Sequence, residues 1–397
     1  MGTDPLIVAW AGLLGAALGS FLNVCILRWG AEPKQSVVRP PSRCPRCGRG
    51  LRWHDNIPIV SWLLLRGRCR GCREPISIQY PLIELATALI WALMAWRFGP
   101  TLDALKAAVF ATILLGIAMT DARAFIIPHE FSIGGTVLGL AFAAASTWSM
   151  GGVWEAVVGA WFGAGLVLLV GEVSDLLVGQ EAMGGGDCAL MGMVGAFYGW
   201  EAVLPVVGVG AAISVVLYVL GSLRARPAPA AEPGEEVTGP LLRWGMLLKL
   251  LIAGSGLIVL MVVAVQAGVF GGVLQAAFDG TAAAGLVYFL SFLAPPSLDG
   301  RWVRVAGLLG AAFGVALGGG LHPVRIVAGV VLAAGALWLV RRVTVAESPA
   351  TADALNAGGY LPFGVGLSLA AGLLALADAF PGIRVGMAEY LRMLGLS

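Results

Sequence analysis

Residues 5–27 read PLIVAWAGLLGAALGSFLNVCIL, an apolar run without a single charge, and the stretch after it, 28–73, carries 11 of the 25 Lys and Arg against two acids, Glu32 and Asp55. A helix needs roughly 20 apolar residues to cross about 30 Å of hydrocarbon, so the first run is long enough to span a bilayer. The basic stretch sets its direction, because Lys and Arg are retained on the cytoplasmic side. The loop is therefore expected inside and the N-terminus outside. The run is not read as a cleavable signal: Arg28 follows it, and Gly2 to Leu6 holds no basic residue.

The remainder of the chain has the same character. Of 397 residues 58% are hydrophobic and only 12% charged, and the mean hydropathy is +0.87. This composition excludes a disordered or collagen-like chain and argues against a soluble enzyme, whose surface needs more charge. The 57 Gly and 13 Trp suit packed membrane helices with interfacial aromatics. A net charge of +2 gives no sign of a nucleic-acid partner. Further spans are expected near 80–97, 104–120, 131–149, 154–174, 188–200, 202–221, 245–270, 281–294, 304–319, 324–340 and 361–379, with 188–200 and 281–294 short enough to be partial or tilted. The expected fold is an all-α polytopic membrane protein of about 12 transmembrane helices with a cytoplasmic four-cysteine zinc-binding loop domain.

The chain divides into a first transmembrane helix (1–28), the zinc-binding loop domain (29–79), a helical block (80–221), a Pro-, Ala- and Glu-rich linker (222–242), a second block (243–342), and a polar segment with a final helix and tail (343–397). Alternation puts the loops 121–130, 175–187 and 222–243 inside. Arg123, Arg224, Arg226 and Arg243 agree, as do Arg301, Arg304, Arg341 and Arg342, whereas Arg325 dissents. Neither helical block has a convincing internal repeat. Lys249 and Arg325 are read as snorkelling to an interface, and His322 as an outer-loop residue.

Cys44-Pro-Arg-Cys47 and Cys69-Arg-Gly-Cys72 are two C-x2-C pairs with 21 residues between them. Each pair can place two thiolates on one ion, and the two together complete a tetrahedral four-cysteine site. Arg43, Arg46, Arg68, Arg70 and Arg73 would offset its negative charge. In a reducing compartment a structural zinc is favoured over disulfides. A closed site of this kind has a folding role, and the alternative is a pair of redox-labile dithiols. Cys25 and Cys188 are expected to be small packing residues.

Asp121 ends one apolar run, and Asp187 opens another after Met183-Gly184-Gly185-Gly186. By the topology above, both lie at the cytoplasmic edge of the membrane, where an acid is a functional candidate. Glycines without Cβ let another chain come close, so Gly184, Gly185 and Gly186 could receive a substrate peptide. Two carboxylates brought together share one proton. The ionised one can take a proton from water and the protonated one can donate to a carbonyl oxygen, which is peptide hydrolysis without a covalent intermediate. Taken singly, each Asp also fits a structural role: Asp121 as a solvated charge at a helix end, Asp187 as a helix cap.

These residues together resemble the bacterial prepilin peptidases, the type IV leader peptidases of the GxGD aspartyl protease class. The matching pieces, in the family's order, are Gly19-Ser20-Phe21-Leu22-Asn23-Val24, Pro41-Ser42-Arg43-Cys44-Pro45-Arg46-Cys47, Asn56-Ile57-Pro58-Ile59-Val60-Ser61-Trp62, Arg66-Gly67-Arg68-Cys69, Tyr80-Pro81-Leu82-Ile83-Glu84-Leu85, Asp121 with Ile127-Pro128, and Ala182-Met183-Gly184-Gly185-Gly186-Asp187. Leu361-Pro362-Phe363-Gly364 looks like the start of the family's final span. The resemblance implies catalysis by Asp121 and Asp187. It also implies cleavage of the leader peptide of type IV prepilins or type II secretion pseudopilins after a Gly, at the cytoplasmic face of the bacterial inner membrane. Many members also methylate the new N-terminus with S-adenosylmethionine. Two departures stand out: His129 occupies the position where the family usually has Asp, and Ala189 the position where it often has Lys. The block 243–342 is extra to the pattern, with a packing or partner-binding role expected.

Trp53 and Trp62 are expected to pack against the cysteine loop or the headgroups, and His129 to be a surface residue or a partial substitute within the site. Glu84 is read either as a helix-start charge at the interface or as a site residue. The competing readings are a non-enzymatic scaffold or transporter with a zinc-stabilised module, and a GxGD protease acting on ordinary transmembrane helices. The basic four-cysteine loop argues against the last. The sequence leaves the oligomeric state unknown.

Overall fold

The computed structural model describes residues 4–224 apart from Glu32, Pro45, Trp148 and 179–182, together with parts of 281–288 and 367–372. Its helices are α1 (Pro5–Trp29), α2 (Val60–Leu64), α3 (Gln79–Phe98), α4 (Leu102–Ala124), α5 (His129–Thr147), α6 (Met150–Val178), α7 (Gly185–Tyr198) and α8 (Val203–Arg224). Short 3-10 turns occupy Trp53–Asp55 and Trp200–Ala202. The first helix starts where Asp4 accepts the Leu6 N–H at 2.9 Å and Pro5 takes a position that needs no donor. Thr101 caps α4 in the same way, accepting from the Ala104 N–H at 3.2 Å. Gly99 and Gly199, with φ of +69° and +79°, end α3 and α7.

Four described helices are long and apolar enough to cross a bilayer: α1, α3, α4 and Met150–Glu172 of α6. The chain is thus a mostly helical integral membrane protein. The spans expected near 245–270, 304–319 and 324–340 lie outside the described residues, as do Lys249, His322, Arg325 and most of the linker 222–242.

Between helices in lipid there is little hydrophobic drive, so close backbone packing and small residues carry association. Helix α7 is the centre of that packing: every residue from Asp187 to Phe197 is buried. A Cβ on Gly195 would overlap the Gly159 carbonyl of α6, and one on Gly163 of α6 would overlap the Met191 carbonyl. Gly135 and Gly139 of α5 give room in the same way to Met193 and Phe197. On the far side of α6, Gly165 and Gly285 bring the described part of 281–288 against that helix. Helix α1 packs on α3 through Gly15 and Gly19, opposite Thr87, Trp91 and Glu84. Asn23, fully buried, donates to the Tyr80 carbonyl at 3.2 Å across the same seam.

One end of the bundle gathers the C-terminal ends of α1 and α4 and the N-terminal ends of α3, α5 and α7. Trp29 and Phe131 meet edge-on at 4.7 Å, Lys34 pairs with Glu130 at 2.9 Å, and Arg123 donates to Gln79. The cysteine loop, Asp121 and Asp187 therefore share one end of the molecule, as the sequence reading expects.

Candidate functional site

The two cysteine pairs fold as near copies of each other, offset by 25 residues. The Gly48 N–H donates to the Cys44 carbonyl at 3.0 Å, and Arg73 does the same to Cys69 at 3.0 Å. The Cys44 N–H donates to Arg49 at 3.0 Å and the Cys69 N–H to Glu74 at 2.8 Å. Isolated β-bridges pair Arg43 with Gly50 and Arg68 with Pro75. Gly48 and Arg73 both adopt left-handed backbone, with φ of +68° and +63°. This repeat lies in the loop, outside the helical blocks in which none is expected.

All four sulfurs lie within 4.8 Å of one another, and those of Cys44 and Cys72 are 3.8 Å apart. A tetrahedral ion with sulfur bonds of ~2.3 Å holds its ligands about that far apart, so the cluster fits a four-coordinate metal. N–H groups of Cys72 and Gly71 pull the Cys69 thiol down to about 6. Cys72 receives an N–H from Glu74, yet desolvation and the neighbouring sulfurs push it up to about 11. Cys69 and Cys72 thus hold their protons unequally. Asp55 braces the second pair, bonded by Arg70 at 2.7 Å with His54 at 3.8 Å. Burial works to raise this carboxyl, but Arg70 and His54 outweigh it and hold it below the ordinary range. Trp62 donates its indole N–H to the Ile76 carbonyl at 3.1 Å and covers Gly67. Trp53 is 81% exposed and meets His54 edge-on at 5.5 Å, which leaves the headgroups as the partner of the two expected.

At the same end lie the two aspartates. Asp121 sits in the last turn of α4 and Asp187 in the first turn of α7, and both are buried, 3% and 6% exposed. The reading of Asp121 as a solvated charge does not hold. Asp187 does act as a cap: its Oδ2 accepts the Gly184 N–H at 3.1 Å. Its other oxygen is buried without a hydrogen-bond partner among the described residues. Asp121 is near enough for its charge to act on Asp187. Gly184 and Gly185 are exposed, whereas Gly186 faces the loop after α4: a Cβ there would stand 2.7 Å from the Cβ of Ile127. That contact brings the Ile-Ile-Pro segment, and Asp121 before it, beside the glycine run. Phe125 closes α4 in left-handed backbone and lets the chain turn back toward α7.

His129 is partly buried at the start of α5, and Ala189 is fully buried in α7. Cys25 and Cys188 are buried free thiols, as expected. Glu84, 7% exposed, accepts the Ile59 N–H at 2.7 Å and ties the loop to α3. Tyr288 gives no warning in the sequence, where it stands in an apolar run. Its hydroxyl donates to the Gly185 carbonyl.

A buried carboxylate pair beside a glycine turn, at one end of a helical membrane bundle, defines the general class of intramembrane-edge aspartyl proteins. Comparison with known proteins narrows this. The bacterial peptidase A24 N-terminal domain matches residues 13–98, and the type IV leader peptidase family matches residues 108–220. A protein of Myxococcus xanthus (strain DK1622) named prepilin leader peptidase/N-methyltransferase is 40% identical over 226 residues, covering 56% of this chain and 66% of its own. Proteins with the same name from Pseudomonas aeruginosa and Neisseria gonorrhoeae are 35% and 33% identical, covering 56% and 59% of this chain and 82% and 90% of theirs. The chain belongs to the type IV leader peptidase family. No solved structure matches it.

Proposed function

We propose that this protein is a membrane aspartyl endopeptidase that removes the leader of type IV prepilins or type II secretion pseudopilins and N-methylates the new N-terminus. The observation that carries this reading is the buried Asp121–Asp187 pair beside the glycine run, in a chain of this family. One carboxylate, ionised, takes a proton from water, whose oxygen attacks the scissile carbonyl carbon. The other, protonated, donates to the carbonyl oxygen. Collapse of the tetrahedral species breaks the C–N bond, and the leaving amine takes back a proton. The unpartnered oxygen of Asp187 supports this, because a buried acceptor without a donor is costly unless something else occupies the place. Exposed Gly184 and Gly185 leave room for an extended substrate backbone.

In this reading Cys44, Cys47, Cys69 and Cys72 of the loop domain 29–79 hold a structural zinc. Four protein ligands leave no open position, so the ion supplies folding energy and no chemistry. The block 80–221 carries the catalytic helices, 222–242 is a linker, 243–342 an added block, and 343–397 the final segment. S-adenosylmethionine is the methyl source. The protein lies in the bacterial inner membrane among its lipids with the site toward the cytoplasm. The charge imbalance of the first loop supports that orientation. Cysteines introduced at Gln79 and Arg123 should both react with an impermeant thiol reagent only from the cytoplasmic side. Labelling of either from outside would overturn the orientation.

Incubating the purified protein with a prepilin, and reading the product's N-terminus by mass spectrometry, tests the function. The expected product begins after the leader's Gly and gains one methyl group when S-adenosylmethionine is added. An intact prepilin would refute the reading. A related expectation concerns the glycine turn. A side chain at Gly186 must push Ile127 away and spread the two aspartates, and displacements of about 1 Å in such sites cost roughly 100-fold in rate. Gly186→Ala should slow cleavage on that scale, and adding Ile127→Gly, which removes the Cβ it meets, should restore most of it.

A further inference from the structure

A cavity of about 380 Å³ lies between the inner half of α1 and the first loop, within the size range of small-molecule sites. Its lining offers a guanidinium (Arg28), two hydroxyls (Ser20, Ser42), an amide (Asn56), a half-exposed ring (Phe21) and a rigid wall (Pro58). We propose that this cavity binds the methyl donor, S-adenosylmethionine, an inference that rests on the N-methylation reading above. The lining suits the donor's carboxylate, purine and ribose. The guanidinium uses two donors on the Ser36 and Pro40 carbonyls, at 2.7 and 2.6 Å, and keeps others for a carboxylate. The ring suits a stacked purine, and the hydroxyls and amide suit a ribose and the purine edge.

Two further observations support it. The Pro58 wall is held in strain. Ile59, a β-branched residue, sits at φ +61° and ψ −51° in a γ-turn closed by the Val60 N–H on the Pro58 carbonyl. Such strain persists only where the surroundings enforce it, and it gathers at ligand clamps. Here the enforcing group is Glu84, which accepts the Ile59 N–H at 2.7 Å and is also reached by the Ser20 hydroxyl. The second observation is proximity to the aspartates. Gly30, two residues past Arg28, packs so closely on Thr120, the neighbour of Asp121, that a Cβ there would stand 2.9 Å from the Thr120 methyl. That contact sets the α1 end of the cavity beside the end of α4 that carries Asp121. Bound there, S-adenosylmethionine would supply a methyl group to the new N-terminal amine, the C–S bond breaking with its electrons going to sulfur and the amine losing a proton to water.

Binding of S-adenosylhomocysteine to the full-length protein in nanodiscs, read by calorimetry, tests this, with zinc content and circular dichroism as checks on folding. Ala17→Phe and Ser42→Trp fill the cavity from its two sides, and each should weaken binding about tenfold or more. Glu84→Gln should weaken it as well, because the turn loses its charged acceptor. Ultraviolet cross-linking of labelled S-adenosylmethionine should mark peptides within 17–58. Unchanged affinity in both filled variants, with labelling elsewhere, would overturn the site and leave N-methylation standing. No binding by the wild type would overturn both, while leader cleavage, measured separately, would still decide the peptidase.

A separate observation concerns Tyr288, from the block that neither family match reaches. Its side chain is 4% exposed, its hydroxyl donates to the Gly185 carbonyl, and Asp187 and the Ala189 N–H lie close to it. Gly165 and Gly285 fix its helix on α6 backbone to backbone. We infer that Tyr288 is a positioning residue that steadies the first turn of α7 under Asp187, so that the added block completes the site. Tyr288→Phe should lower kcat about three- to tenfold, the worth of one neutral hydrogen bond, with KM unchanged and one limb of the pH profile moved. Amide exchange at Gly185–Asp187 should quicken, a readout independent of peptidase activity. Wild-type exchange and an unmoved profile would refute the role.

Discussion

Exchanging Cys44 and Cys72 for Ser will leave the protein without its metal and its first loop unfolded, with the helices still in the membrane. The loop has little else to hold it. Besides the bonds of Glu84 to Ile59, Trp62 to Ile76 and Arg28 to Ser36 and Pro40, its order rests on two isolated bridges, a few turns and the Asp55–Arg70 pair, while Trp53, Val60, Leu63 and Leu64 are exposed. Structural zinc contributes on the order of 10–16 kcal/mol to small domains of this kind, far more than those contacts. The bundle draws its stability from the close contacts of α5, α6 and α7 and does not depend on the ion. Metal analysis should find about one equivalent in the wild type, as four ligands imply, and none in the variant. Proteolysis between residues 44 and 72 should become fast. Acid should have the same effect, because thiolates must be regained as thiols before the ion leaves. The Asp55 pair acts in the same direction: its carboxyl is held low, so its contribution is present above the ordinary carboxylate range and is lost as pH falls through the lowered value. A double variant that retains its metal would contradict the four-cysteine site.

Much of this architecture could be read before the structure. Apolar runs located α1 and α3 to α8 to within a few residues, because a long apolar helix announces itself by composition, and four of these are long and apolar enough to span a bilayer. The paired C-x2-C spacing predicted the sulfur cluster, since each pair is local and only one long-range meeting had to be inferred. The glycine run before Asp187 reads as room for a substrate peptide, whereas Gly186 lies against Ile127 of this chain and Gly184 and Gly185 are exposed.

What escaped the sequence depends on contacts between distant residues. Glu84 and Ile59 are 25 positions apart, and Tyr288 and Gly185 are 103 apart. No periodicity encodes a meeting of that kind. Glu84 could be weighed as an interface charge or a site residue, but its grip on a strained turn could not be foreseen. For Trp53 the sequence offers the cysteine loop or the headgroups, and nothing local chooses between them. The glycines of α5 and α6 mark close faces without naming the partner, so the burial of α7 from Asp187 to Phe197 was not evident.

The largest effect on chemistry is expected at the aspartates. Asp121→Asn and Asp187→Asn keep the shape of the side chain and remove its ionisation. Each should lower leader cleavage by roughly 10³-fold or more, and the double variant should be hardly worse than either single one, because residues that act as a unit are not additive. Cleavage by the wild type should follow a bell-shaped pH curve whose limbs belong to the pair as a whole. Methylation of an already cleaved pilin should survive both substitutions, since it uses neither carboxylate, and this separates a damaged fold from a missing acid. The most direct measurement is the rate at which purified, zinc-loaded Asp187→Asn protein converts a prepilin to mature pilin beside the wild type. The dyad predicts near-complete loss of cleavage with methyl transfer retained. Appreciable cleavage by the correctly inserted variant would contradict it.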